Sequence, residues 1–193
     1  MNKIFVDNDV ILDLLARRLP HFHFSAVLFT FAEMKKLELY TSPLIFANTF
    51  YILRKQLGNE EAKKALRKLR VLVHIVDSSE ALVDKALNSD FADFEDAIQY
   101  YTTQENGINI LLTRNLRDYK NASLIVQTPE IFLVSNGLIW WGEYGKKSGD
   151  DYESYSEWLG IKNLDITYFN KSAVNKSLEK EIKAIDKAYK TME

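Results

Sequence analysis

Acidic side chains fall at three separated places in this chain, each where a short apolar run ends or a helix begins. Asp7 and Asp9 follow the run Lys3 to Val6; Asp93, Glu95 and Asp96 crowd into DFEDA; Asp118 lies in TRNLRDY, directly after INILL. Carboxylates are hard oxygen donors, and several gathered at one point repel one another unless a divalent cation sits among them. Such a cation offsets charge on a phosphate and acidifies water for attack on a phosphodiester. Asp7 is well placed to be a ligand, because ligands of open parallel sheets bind beyond the carboxyl ends of strands. Asp9 either shares that site or caps the helix that starts there, and the cap is its expected role. Asp93 and Asp96, three apart at a helix start, project from one face with β-carbons ~5–6 Å apart, while Glu95 points elsewhere. Any one of these acids alone would be explained by the helix dipole, which favours negative charge in a first turn. TRNLRDY delivers Thr113, Arg114, Asn115 and Asp118 at a second strand end, and Arg114 has the fork geometry to grip a phosphate bidentately.

The elements that must position these residues can be read from periodicity. Lys3 to Val6 is a strand, and VILDLLARRL has helical spacing. Helix continues from Leu28 to Leu37, Leu39 to Thr41 is a short strand, and Ser42-Pro43 caps and opens a helix over Leu44 to Gln56 that Gly58 ends. A second helix spans Asn59 to Leu69, a buried strand Leu72 to Val76, and Ser78-Ser79 caps a helix to about Leu87. The helix that begins at the DFEDA acids stops at Gly107, before the strand INILLT. Leu124 to Val126 gives a last strand, and Thr128-Pro129 starts a closing helix. Strands alternating with helices imply parallel pairing through right-handed crossovers, an α/β sandwich over roughly residues 1–135. From Ser135 the texture becomes turn-rich, so residues 136–193 read as an appended segment. It ends in an amphipathic helix from Ser172 to Met192 with Val174, Leu178, Ile182, Ile185 and Tyr189 on one stripe.

Composition narrows the chemistry. There is no cysteine, which removes disulfides, thiolate metal sites and cysteine nucleophiles, and leaves oxygen ligands or three histidines. His21 and His23 near Pro20, and the distant His74, read as surface or packing residues. No GxSxG elbow and no glycine-rich phosphate loop is present. The formal net charge of −2 argues against broad nonspecific nucleic-acid binding. The basic stretch Arg54, Lys55, Lys63, Lys64, Arg67, Lys68, Arg70 reads first as a solvated helical face and second as a phosphate-contacting one. Tyr100 and Tyr101 offer faces for base stacking, with core packing of one of them expected. The first apolar run is too short for a signal peptide and no stretch reaches membrane-spanning length, so a cytoplasmic protein with no membrane partner is the expectation.

Taken in order, KIFVDNDVILDLL, DFEDA and LLTRNLRDY resemble the PIN domain, in particular its bacterial VapC-like toxin branch, over about the first 135 residues. The resemblance implies a three-layer fold: a central parallel sheet of four to five strands flanked by helices, with a C-terminal helical extension. It implies a hydrolase, an endoribonuclease that binds Mg²⁺ or Mn²⁺ and cleaves RNA, inhibited by a small antitoxin protein and commonly a homodimer. By position, Asp7 is similar to the family's first acid, Asp96 to its third and Asp118 to its fourth, with Asn115 as a supporting polar ligand, Asp93 contributing through water and Thr113 orienting a carboxylate. One departure stands out. The family's second acid, usually a glutamate, is matched by Asn48 in SPLIFANTFYILRK, which keeps a neutral oxygen but loses a negative charge. Either the site works with fewer acids, or the chain is a catalytically weakened RNA- or protein-binding relative.

Overall fold

A computed structural model of the protein describes residues 3–120 and 122–138. Five parallel strands form one sheet: β1 (Lys3–Val6), β2 (Glu38–Thr41), β3 (Val73–Ile75), β4 (Ile110–Leu112) and β5 (Ile125–Gln127), in the spatial order β3-β2-β1-β4-β5. Parallel strands need long crossovers, and helices supply them here. The pair α1 (Asn8–Leu15) and α2 (Phe22–Glu33) joins β1 to β2; α3 (Pro43–Leu57) and α4 (Asn59–Leu72) join β2 to β3; α5 (Glu80–Leu87) and α6 (Phe94–Glu105) join β3 to β4. The last described helix, α7 (Pro129–Ser135), follows β5. Right-handed crossovers put the helices of outward and return journeys on opposite faces of the sheet. Accordingly Ile4, Phe5, Val6, Leu39, Leu111 and Leu112 are fully buried, as strands covered on both sides must be.

The expected alternation of strands and helices holds, with shifted ends. The helix expected over Leu28 to Leu37 runs instead from Phe22 to Glu33, because Lys35 turns left-handed at φ 56 and breaks the repeat. Leu72 closes α4 instead of opening β3. Ser42 and Ser79 cap α3 and α5 through their hydroxyls, as expected. Gly58 ends α3 at φ 80, a conformation that a side chain would strain. The first structural unit is Met1–Phe132; of the second, Leu133–Glu193, the described residues finish α7 and its turn at Gly137. The amphipathic stretch from Ser172 to Met192, like nearly all of the expected extension, lies outside the described residues. No described helix is long and apolar enough to cross a membrane.

The connectivity reverses at β1, which has β2 on one side and β4 on the other. Chains leaving β1 and β4 diverge there and open a crevice at the strand ends. Val6 is in register with Leu112, so Asp7 and Thr113 are the first residues past the sheet on each side of that crevice.

Candidate functional site

The inner wall of the crevice is built from α1 and the loop after β4. The backbone N–H of Asp7 donates to Leu112 at 3.0 Å, which fixes its Cα at the sheet edge. Its Oδ1 accepts from the N–H of Asn8 at 2.6 Å and its Oδ2 from the Thr113 hydroxyl at 2.8 Å. Asp7 is therefore the N-cap of α1, and the capping role expected of Asp9 is corrected: Asp9 already lies in the first turn. Its Oδ2 accepts instead from the Arg114 N–H at 2.8 Å and lies 3.4 Å from the Thr113 hydroxyl. Burial first, then the charge of Asp9, pushes the Asp7 carboxyl up to about 8; the bonds from Thr113 and Asn8 oppose this, and Asp96 adds to it. The hydroxyl of Thr113 also accepts from the Asn115 N–H at 3.0 Å, tying the loop to the same point.

The outer wall comes from α6 and the turn holding Asp118. Asp93 caps α6, its Oδ1 accepting from Glu95 at 2.8 Å and Asp96 at 3.2 Å. That cap leaves Asp96 buried at the crevice. Its Oδ1 accepts from the Tyr119 hydroxyl at 3.1 Å and its Oδ2 from the Asn115 side-chain amide at 2.9 Å. The same amide donates to Asp118, so one nitrogen bridges two carboxylates that are 22 residues apart in sequence. The Asp96 carboxyl is pushed up to about 6, by burial above all, with Tyr119 opposing and the charges of Asp93 and Asp118 adding. Burial and the surrounding acids push the Tyr119 phenol far above its ordinary value, which keeps it a hydrogen-bond donor. Sequence reasoning missed Tyr119; its place directly after Asp118 was the available signal.

Asn48 and Glu95 meet across the crevice mouth. The Asn48 amide donates to Glu95 Oε1 at 2.6 Å, and next to it the Thr49 hydroxyl donates to Asn8 Oδ1 at 2.8 Å. Glu95 thus faces Asn48 of α3, while Asp96 faces Tyr119 and Asn115. Arg114 is engaged from behind, its Nε 3.5 Å from Asp9 and 3.2 Å from Asp13. Asp13 was not singled out from sequence; it is fully buried, and burial pushes its carboxyl up to about 7 against the pull of Arg114. Tyr100 is buried with its hydroxyl 3.0 Å from Ser123 and its ring against Phe91, so it packs as expected. His21 precedes α2 and His23 lies within it; burial pulls both imidazoles below the ordinary value, and His21 also feels the charges of Arg114 and Asp9.

The donor set suits a hard divalent cation. All the acids are oxygen ligands, among the described residues no cation pairs with Asp7, and its charged form is disfavoured until positive charge arrives. Among the described residues no three acids or imidazoles form a ready-made cage. Instead Thr113 links Asp7 to Asp9, and Asn115 links Asp96 to Asp118.

A family model for the PIN domain matches residues 3–117. Ribonuclease VapC1 of Aquifex aeolicus is 28% identical over 138 residues, which cover 67% of this chain and 92% of that protein. Among solved structures, Mycobacterium tuberculosis VapC20, described as a sarcin-ricin loop cleaving toxin, is similar in fold with a TM-score of 0.51 at 19% identity, covering 63% of this chain and 96% of that one. A toxin–antitoxin complex from Klebsiella pneumoniae matches with a TM-score of 0.49 at 18% identity, covering 65% and 97%.

Proposed function

This chain belongs to the PIN-domain family, and from that premise we propose that it is a VapC-like, divalent-metal-dependent endoribonuclease, the toxin of a toxin–antitoxin pair. The observation that carries the reading is the bridging of Asp96 to Asp118 by Asn115, and of Asn115 to Asp7 by Thr113, at the point where the sheet order reverses. The similarity to a ribonuclease over most of that protein's length supports the reaction class.

In this reading Asp7, Asp96 and Asp118, with Asn115, would hold Mg²⁺ or Mn²⁺. Such an ion supplies positive charge for the phosphate and lowers the pKa of water. The chain's own residues do the positioning. Thr113 fixes the Asp7 carboxylate, Tyr119 fixes that of Asp96, and Asp93 and Asp7 cap the two helices that present them. Glu95, held against Asn48, supplies on α6 the negative charge that α3 lacks. Arg114, anchored by Asp13, keeps a cation beside Asp9 at the inner wall. The substrate is RNA, a small antitoxin is the inhibitory partner, and the working unit is a homodimer in the cytoplasm. Residues 1–135 form the nuclease domain and 136–193 an appended segment.

Asn48 also favours a second reading, a relative that binds RNA or protein without cutting it. Incubating an RNA pool with the protein and Mn²⁺ separates the two. Wild type should cut, EDTA should stop it, and Asp7→Asn should lower the rate on the order of 10³-fold. Binding without cutting under every divalent cation would leave only the second reading.

A further inference from the structure

The basic stretch seen in the sequence divides into two unlike parts. On α4, Lys63 pairs with Glu60 at 3.3 Å, Lys64 with Glu61 at 2.6 Å, and Arg70 donates to the carbonyl of Val73 at 3.0 Å. Those cations serve their own helix. On α3, Arg54 and Lys55 gather on an aromatic ring: Arg54 Cζ lies 5.0 Å and Lys55 Nζ 4.1 Å from the centre of Tyr51. Among the described residues Tyr51 is itself 50% exposed, so its ring face and the two cations lie at the surface together. The hydrogen bond and charge of Lys55, with Arg54, also pull its phenol below the ordinary range, so positive charge dominates this spot.

Position on the helix gives the patch its meaning. Residues 48, 51 and 55 follow one another at spacings of three and four and so share one stripe of α3, about 10 Å from end to end. The stripe begins at Asn48, whose amide contacts Glu95 beside the carboxylate cluster, and runs outward to Lys55. The opposite stripe, Ile45, Thr49 and Leu53, is buried and fixes the helix against the body. A flat aromatic face flanked by two cations complements an unpaired base and its adjacent phosphates, whereas an apolar protein surface would leave both charges desolvated.

We propose that Tyr51, Arg54 and Lys55 form the track on α3 along which single-stranded RNA approaches the carboxylate crevice, Tyr51 stacking a base and the two cations contacting phosphates. The track deepens the nuclease reading and rests on it for its direction, but binding can be measured apart from cutting.

The test is fluorescence anisotropy of a labelled single-stranded oligoribonucleotide titrated with the full chain in EDTA, where cleavage does not intervene. Tyr51→Ala should weaken binding about tenfold, and Tyr51→Phe, which keeps the ring, should restore most of it. Combined Arg54→Ala and Lys55→Ala should lower the dependence of log Kd on log salt by roughly 1.4, as two lost phosphate contacts require. Lys63→Ala, on the self-paired helix, should change little. Thermal midpoints equal to wild type establish that each variant is folded. Unchanged affinity and salt dependence in folded Tyr51 and Arg54/Lys55 variants overturn the track, as does loss of self-association or of a protein partner with RNA affinity intact. If instead these variants lose RNA binding while wild type fails to cut RNA with Mn²⁺, the track stands and the nuclease reading falls.

Discussion

Asp7 and Asp118 stand at opposite extremes of one cluster. Asp7 is 6% exposed, sits at the edge of the sheet and is held by backbone and hydroxyl donors that the fold cannot move. Asp118 is partly exposed on a loop, and its link to the cluster is the amide of Asn115, itself exposed. The inner wall is thus pre-formed, and so is Asp96 on the packed α6, while the turn holding Asp118 is the adjustable part of the outer wall. A cation that needs both walls is met by movement of that turn, because buried and sheet-edge groups are the more rigid partners.

The largest way to break this contrast is to cut the adjustable link. Asn115→Ala should weaken Mn²⁺ binding by about 10–100-fold in calorimetry, the usual cost of losing a group that orients ligands, while leaving the melting temperature nearly unchanged. A loss of stability without a loss of metal affinity would make Asn115 merely structural. Next in size is the exchange between α3 and α6. Glu95→Gln should reduce metal affinity and RNA cleavage about tenfold, and adding Asn48→Glu to that variant should recover much of the loss. If Glu95→Gln is silent and Asn48→Glu alone raises activity, Glu95 supplies nothing to the site.

The smallest effect reads the charge stored in the inner wall. The folded-state carboxyls of Asp7 and Asp13 sit at about 8 and about 7, far above the ordinary 3.8. Between those limits the folded chain holds protons that the unfolded chain has released. The stability these groups contribute is therefore complete below the ordinary carboxylate range and is lost as pH rises through 7 and 8. The metal-free protein should show a melting temperature that falls by a few degrees from pH 5 to pH 8, and Mn²⁺ added at pH 8 should recover it. A flat profile in EDTA would mean that the inner wall carries no such charge.

The legible and illegible parts of the molecule divide along the same physical line. Periodicity and caps placed β1 at Lys3–Val6, the Ser42-Pro43 start of α3 and the parallel alternation that brings strand ends together, because these depend on neighbours in sequence. The contacts between Asn48 and Glu95, and between Asn115 and two acids, join residues from different elements and depend on which side-chain ends meet. Nothing in VILDLL singled out Asp13, and only the packed α1 shows it to be fully buried beside Arg114. Asp7 took the cap that Asp9 was expected to hold because α1 starts at Asn8, two residues earlier than the helical pattern alone suggested. That shift frees Asp9 to fasten the β4 loop.

The account stands on the joining of these two walls by one cation. Crystals of the wild-type protein soaked in Mn²⁺ and measured at a wavelength where manganese scatters anomalously test it directly. The expected map holds an anomalous peak within ligand distance of Asp7, Asp96 and Asp118, with the Asn115 loop drawn inward. Crystals that show no peak there at saturating Mn²⁺, or manganese bound only at other carboxylates, would contradict it.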